Sequence, residues 1–229
     1  MRRTLSRTLI SVLAAAAAFF ATLVGPPAQA QADPGVLVFP GMEIRQGTNV
    51  CTLGFVDMEA RVAYTAGHCR GGAQVTDKTN GFLGNQVAFS DNTPDGMTID
   101  TNHQISDWQT IALASDVQVN NVLPNGRALV QDAAVSATPG MPVCHFGVMT
   151  GESCGTVEAV NNGWFTMANG VRSQKGDSGG PVYFNAPDGR AVILGIYNST
   201  WGSFPAAVSW QAATQQAGAA AVTVTSGAA

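Results

Sequence analysis

The chain has 229 residues, with 15 acidic against 11 basic side chains, a formal net charge of −4, four cysteines and three histidines. That balance argues against nucleic acid or an anionic membrane as partner, because both call for basic surface. Beyond the N-terminus, no apolar run is long enough to span a bilayer.

Residues 1–32 read as a secretory signal peptide. Arg2, Arg3 and Arg7 form a charged start, and Leu9 to Val24 is a short, alanine-rich apolar run. Ala28-Gln29-Ala30 and Ala30-Gln31-Ala32 both offer small-x-small cleavage sites, and cleavage is expected before Asp33. The Arg2-Arg3 pair leaves twin-arginine export open beside the general route. The mature chain, 33–229, loses three arginines, leaving 8 basic against 15 acidic residues and a net charge of −7. A soluble, secreted protein is expected.

Short β-rich segments follow in quick succession. They are Gly35–Phe39, Val50–Val56, Arg61–Thr65, Gly84–Phe89, Thr110–Leu113 and Pro142–Val148, then Gly155–Val160, Trp164–Met167, Pro181–Phe184 and Val192–Tyr197. Turn sequences separate them, among them Asn80-Gly81, Pro94-Asp95-Gly96, Pro124-Asn125-Gly126, Asn161-Asn162-Gly163 and Pro187-Asp188-Gly189. Strands at this spacing predict an all-β sandwich or barrel rather than a βαβ sheet. A mature chain of this length builds one large or two small β cores. Two are expected, over 33–122 and 123–229, joined near Asp116–Asn125. One helix is expected, roughly Trp210–Ala219, followed by a loose tail.

The even cysteine count suits disulfides in an oxidising compartment. Three pairings are possible; Cys51–Cys69 with Cys144–Cys154 closes two short loops and is preferred. A zinc site would want a C-x-x-C pair, and the chain has none. No metal and no cofactor are expected.

The chemistry concentrates in Gly176-Asp177-Ser178-Gly179-Gly180-Pro181, a serine flanked by glycines that let backbone amides approach a substrate. Ser178 needs a base to take its proton before it attacks a carbonyl at neutral pH. All three histidines, His68, His103 and His145, precede it. That order excludes the α/β-hydrolase elbow, which the G-x-S-x-G pattern otherwise satisfies, because that fold places its histidine after the serine. His68 is the expected base: it follows the strand-like Val62-Ala63-Tyr64-Thr65 and abuts Cys69. His103 and His145 read as structural. Asp107, at the head of an apolar strand, is the expected orienter of the imidazole. Asp100 is the runner-up, while Asp91 and Asp95 read as loop residues.

Thr65-Ala66-Gly67-His68-Cys69, an aspartate some 40 residues on, and Gly176–Pro181 resemble the chymotrypsin-type serine peptidases, in the order His, Asp, Ser. The secreted actinobacterial members, the streptogrisin-like enzymes, are the nearer likeness. Cys51…Gly67-His68-Cys69 matches their histidine-loop disulfide, and Cys144-His145-Phe146-Gly147…Gly151-Glu152-Ser153-Cys154-Gly155 resembles their second one. The likeness spans about residues 45–212. It implies two six-stranded antiparallel β-barrels with the site in the cleft between them. It further implies His68 as general base and then acid, Asp107 as orienter, Ser178 as nucleophile, and the amides of Gly176 and Ser178 as oxyanion hole. The implied activity is that of a monomeric endopeptidase acting on a peptide or protein substrate. A relative that keeps the triad but serves as a binding or surface protein is the alternative.

Departures from the family pattern matter too. In its animal members the aspartate before the serine pairs with a new Ile-Val N-terminus, and no such cleavage sequence precedes the first strand here. The segment 33–44 is also short for a streptogrisin-type propeptide. Asp177 therefore needs another partner, or else the oxyanion loop rests in a collapsed form; Arg127 is the expected partner, an ordinary surface arginine the alternative. Asn198-Ser199-Thr200-Trp201-Gly202-Ser203 resembles the family's substrate-binding strand, with Thr200 in place of serine ahead of Trp201 and Gly202. Arg172, six residues before Ser178, takes a position that often lies at the base of the specificity pocket. No side-chain preference follows from these residues alone.

Overall fold

In a computed structural model of the chain, residues 35–93 and 100–226 are described, with side chains described as far as Ala220. The expected signal peptide over 1–32, its cleavage before Asp33, and the turn at Pro94-Asp95-Gly96 lie outside these residues.

The N-terminal strand β1 (Leu37–Val38) stands apart from the first large sheet, which contains β2 (Glu43–Gln46), β3 (Asn49–Thr52), β4 (Phe55–Asp57), β5 (Val62–Thr65), β6 (Gln74–Thr76), β7 (Phe82–Asp91) and β8 (Asp107–Leu113). Its order is β3-β2-β6-β7-β8-β5-β4, antiparallel throughout. Only Leu53 and Gly54 separate the two edge strands β3 and β4. Leu53 still bonds to the Met42 side and Gly54 already bonds to Tyr64 of β5. The edges are thus halves of one broken strand, and counting it once leaves six strands around one core. Closing the sheet on itself removes the exposed edges that an open sheet would present. Inward residues alternate as a half-buried strand requires: Ile44 and Gln46 on β2, Ala63 and Thr65 on β5. Inside the barrel the buried Gln109 side chain donates from Nε2 to Gln46 Oε1 at 2.5 Å, and Gln46 Nε2 donates in turn to Gly72 O at 2.9 Å.

The segment expected as a linker carries β9 (Gln118–Val119), which pairs in parallel with β1. The second sheet holds β10 (Leu129–Val130), β11 (Pro142–Gly147), β12 (Gly151–Val160), β13 (Trp164–Ala168), β14 (Pro181–Asn185), β15 (Ala191–Trp201) and β16 (Phe204–Ser209). Its order is β10-β15-β14-β11-β12-β13-β16, and β16 pairs back onto β15. The ring closes with six strands, and β10 is added outside it in parallel. The architecture is therefore the expected all-β double barrel.

Two differences from the expectation have local causes. Strands β2, β6 and β16 gave no clear signal, since the first two are polar and only 4 and 3 residues long, and β16 holds Pro205 and two alanines. The helix α1 runs Trp210–Ser226, so the predicted loose tail is helical as far as Ser226. Alanine dominates that stretch, and alanine has the strongest intrinsic helix preference.

Helix α1 follows the second barrel but docks on the first. The Trp210 ring lies 4.7 Å from that of Phe55 and 4.9 Å from that of Tyr64, centroid to centroid. Removing a buried indole of this kind costs about 3–5 kcal/mol. Gln216 accepts hydrogen bonds from Trp108 Nε1 at 2.6 Å and Ser106 Oγ at 2.7 Å. The helix thereby grips both neighbours of Asp107. Within the described residues, no helix is long and apolar enough to cross a membrane.

Candidate active site

His68 sits in a single 3-10 turn, Gly67–Cys69, immediately after β5. The Cys51–Cys69 disulfide ties that turn to β3 across 18 residues of sequence, a closure that contributes about 3 kcal/mol by restricting the unfolded chain. Arg70 adds a second tie, donating to Gly67 O at 3.2 Å and to the Asp91 carboxylate at 2.6 Å. Asp91 is therefore the last residue of β7 and not the loop residue expected of it.

Asp107 opens β8 and is wholly buried. Its Oδ1 accepts the His68 backbone N–H at 2.8 Å, and its Oδ2 accepts the His68 ring at Nδ1, also at 2.8 Å. A carboxylate only accepts, so this contact places a proton on Nδ1 and leaves Nε2 as the free base. Burial opposes charge on the ring, but the hydrogen bond and charge of Asp107, with help from Asp91, outweigh it. The His68 pKa is raised above its ordinary value. Asp100 does something else: it accepts the amide of Asn102 in an exposed turn.

A residue that sequence reading passed over completes this group. Asn198, buried on β15, donates from Nδ2 to Asp107 Oδ2 at 2.5 Å and to Thr93 Oγ1 at 3.0 Å. Its carbonyl accepts the Ser178 hydroxyl at 3.3 Å. Asn198 thus touches both the aspartate and the serine. It opens the Asn198–Ser203 stretch already noted for its resemblance, which was the only signal available.

Ser178 and His68 line the same cleft, about 770 Å³ in volume, together with Cys51, Met149, Lys175 and Gly176. No hydrogen bond joins the Ser178 hydroxyl to the His68 ring; the hydroxyl rests on Asn198 instead. Neither the Gly176 nor the Ser178 amide has an acceptor among the described residues, so both are available to a ligand. Gly176 has φ +106 and Gly179 φ +84, conformations that favour glycine. A Cβ at Gly179 would also collide with Thr65 Oγ1, the Thr52 carbonyl and the Ala66 amide. The serine loop is bolted to the first barrel by Thr52, whose N–H donates to Ser178 O at 2.8 Å and whose hydroxyl donates to Gly176 O at 2.9 Å.

Asp177 is as buried as Asp107 but differently partnered. Oδ1 accepts the amides of Met149 at 2.8 Å and Thr150 at 3.2 Å; Oδ2 accepts the Thr150 hydroxyl at 2.8 Å and the Gln174 amide at 2.7 Å. Four donors fill the four lone-pair sites of a carboxylate. Arg127, the expected partner, donates instead to Gly189 O at 3.1 Å and makes no ion pair with Asp177. The turn between β11 and β12 delivers two of these amides, and the Cys144–Cys154 disulfide, across a directly paired register position, holds that hairpin.

His145 on the same hairpin is completely buried. Nδ1 lies 3.3 Å from Pro181 O, the ring is 4.5 Å from that of Tyr197, and Nε2 has no partner. Burial lowers its pKa to about 4, with the Asp177 charge and the Pro181 carbonyl opposing the shift. His103 is exposed and bonds through its main chain, its N–H donating to Asp100 O at 2.8 Å and its carbonyl accepting Trp164 Nε1 at 3.0 Å.

Beside the cleft lies a second hollow of about 500 Å³, lined by Met149, Thr150, Val171, Arg172, Ser173, Gln174, Thr200, Ser203 and Pro205. Met149 lines both, so the two adjoin. The structure brings Arg172 and Thr200 together there. Trp201 and Gly202 lie outside the lining, and the Trp201 ring packs edge-on against Trp164 at 4.6 Å.

No family model matches the chain. An uncharacterized protein of Mycobacterium tuberculosis, MT1863, is 56% identical over 216 residues, which covers 94% of this chain and 95% of its own. Among solved structures, a glutamic acid specific serine protease reported to use a histidine triad in substrate binding superposes with a TM-score of 0.61 at 23% identity, over 79% of this chain and 98% of that one. Thermobifida fusca Protease A superposes with a TM-score of 0.57 at 19% identity, over 80% and 97%. At these identities the likeness is one of fold, the double barrel of chymotrypsin-like serine proteases.

Proposed function

The chain belongs to one family with the uncharacterized Mycobacterium tuberculosis protein MT1863, and from its serine-protease fold and the geometry of its cleft we propose that it is a secreted serine endopeptidase. The observation that carries this reading is the shared cleft. A buried carboxylate holds one side of an imidazole, whose other side faces the hollow that also contains a serine and two free amides.

In this mechanism the Ser178 hydroxyl rotates from the Asn198 carbonyl toward His68. Nε2 takes its proton as Oγ attacks the carbonyl carbon of the scissile bond. The Gly176 and Ser178 amides meet the developing oxyanion, each donor lowering the barrier by about 3–4 kcal/mol. The imidazolium, steadied by Asp107, then protonates the leaving amine. Water, activated by the same nitrogen, hydrolyses the acyl-enzyme. Asn198 holds Asp107 in place through Oδ2, the same oxygen that meets the His68 ring. No step calls for a metal or cofactor.

Two disulfides suit an exported protein, since such bonds persist in oxidising compartments. The reading takes 1–32 as the removed signal and divides the mature chain near 122, with His68 and Asp107 on one barrel and Ser178 on the other.

A second reading has its own observation. The Ser178 hydroxyl lies on Asn198 rather than on His68, the arrangement expected of an idle site in a binding protein. A fluorophosphonate probe separates the two. Labelling of purified mature protein that disappears in Ser178→Ala, with cleavage of a mixed peptide library, supports the endopeptidase. A folded sample that neither labels nor cleaves supports the idle site.

A further inference from the structure

The hollow beside the cleft is built unlike a slot for an apolar side chain. Three hydroxyls converge at one point on its wall. Tyr197 Oη donates to Ser173 Oγ at 2.6 Å, Tyr197 Oη and Thr200 Oγ1 are 3.3 Å apart, and Ser173 Oγ and Thr200 Oγ1 are 3.4 Å apart. Ser173 and Thr200 line the hollow, while Tyr197 is buried behind them. The phenol carries one proton and spends it on Ser173. The Ser173 proton is then free to point into the hollow, and the Thr200 hydroxyl has the same freedom. Burial also raises the Tyr197 pKa, so the phenol keeps that proton at neutral pH.

The charges around the hollow have one sign. Arg172 lines it, is exposed, and forms no ion pair among the described residues. Lys175 lines the adjoining cleft and is equally unpaired. No aspartate or glutamate lines either space, although the chain as a whole carries a net charge of −4. Asp177 bonds to three residues of the lining, and its four lone-pair sites are already taken by Met149, Thr150 and Gln174. Two hydroxyl donors and a free guanidinium around a space with no competing anion match a ligand group that only accepts hydrogen bonds and carries negative charge.

We propose that this hollow receives an acidic side chain, preferentially glutamate, from the residue on the acyl side of the scissile bond, with Ser173, Thr200 and Arg172 as its specificity determinants. The proposal rests on the endopeptidase reading for which residue of the substrate enters. The recognition itself needs no turnover. A carboxylate takes the Ser173 and Thr200 protons on its oxygens, and Arg172 closes over it from the rim. A carboxamide of the same shape gains less, since its NH2 group finds donors where it needs acceptors and its neutral charge draws nothing from Arg172.

Binding of product-type peptides to the Ser178→Ala protein tests this without catalysis. Acetyl-Ala-Ala-Pro-X peptides ending in Glu, Gln, Leu or Lys share one terminal carboxylate and differ only in the side chain offered. Glu is expected to bind at least about tenfold tighter than Gln or Leu, with Lys weakest. Arg172→Gln, an exposed change that leaves the fold intact, should bring Glu down to the level of Gln. Ser173→Ala and Thr200→Val should each weaken Glu and leave Leu unchanged. Equal binding of Glu and Gln, a preference for Leu or Lys, or no binding of any peptide overturns the proposal. Fluorophosphonate labelling of the wild-type protein reports separately on the nucleophile, so failure of the pocket and failure of the endopeptidase reading are distinguishable.

Discussion

Asp107 and Asp177 are two wholly buried carboxylates at the edge of one cleft, and the chain neutralises them by opposite means. Asp107 in the first barrel faces the imidazole of His68, a group that can titrate. Asp177 in the second faces three backbone amides and a hydroxyl, whose dipoles do not titrate. The first arrangement allows the charge beside the carboxylate to change; the second keeps a loop in one shape whatever that proton does. A buried charge is tolerated only when paired or fully hydrogen-bonded, and this molecule uses each solution where its job requires it.

The contrast breaks most visibly at Asp107. Asp107→Asn is expected to lower kcat/KM by about 10³–10⁴ through loss of the imidazole tautomer, with a much smaller change in the urea midpoint. If turnover survived within about tenfold, Asp107 would not be the orienter. Asp177→Asn should behave differently, because either carboxylate oxygen faces at least one backbone N–H, and the new NH2 group there meets a donor that cannot accept. Stability and turnover should fall together, the former by about 3–4 kcal/mol. An unfolding midpoint unchanged from wild type would show that the loop does not depend on those four bonds.

The two barrels also differ in their histidines, and pH reads the difference. For His68 the folded pKa is raised, so the activity that needs its neutral form should have an acid limb above pH 6.5. The stability that its protonation contributes is present below 6.5 and lost as pH rises through the folded value. For His145 the folded pKa is lowered to about 4. The unfolded chain therefore takes up a proton first as pH falls below 6.5, and stability declines between 6.5 and about 4, by on the order of 3 kcal/mol. Urea unfolding across that range should show the decline in wild type and a flatter course in His145→Gln. Identical slopes would remove His145 from the account.

The smallest effect is expected at Arg127. Since its guanidinium serves Gly189 O and not Asp177, Arg127→Ala should shift stability by no more than about 0.5 kcal/mol and leave turnover unchanged. A large loss of activity would restore the cation that the structure withholds from Asp177.

The parts legible in sequence were those written in neighbouring residues. His68 stands between a strand and a half-cystine, Asp107 heads an apolar strand, and Ser178 sits among glycines; each carries its context within a few positions. Alternating strands and turns likewise exposed the all-β class. Asn198 and Thr52 were invisible because their roles exist only across the fold. Asn198 reaches Asp107 over 91 residues and Thr52 reaches Gly176 over 124. The expectation for Arg127 failed for a related reason. It assumed that a buried carboxylate must meet a cation, whereas the donors came from main-chain amides on the β11–β12 hairpin, and an amide leaves no signature in the side-chain sequence.

The break in the first barrel at Leu53-Gly54 has a dynamic consequence. The seam where that barrel closes is also where the second barrel touches it, for the Thr52 amide ends on the Ser178 carbonyl and a Cβ at Gly54 would meet the Gly179 carbonyl at 2.6 Å. Neither barrel can breathe open at this point without releasing the backbone that carries Ser178. Amide exchange at Thr52 is then a single-site gauge of cleft integrity, its protection measuring the free energy of parting the two halves.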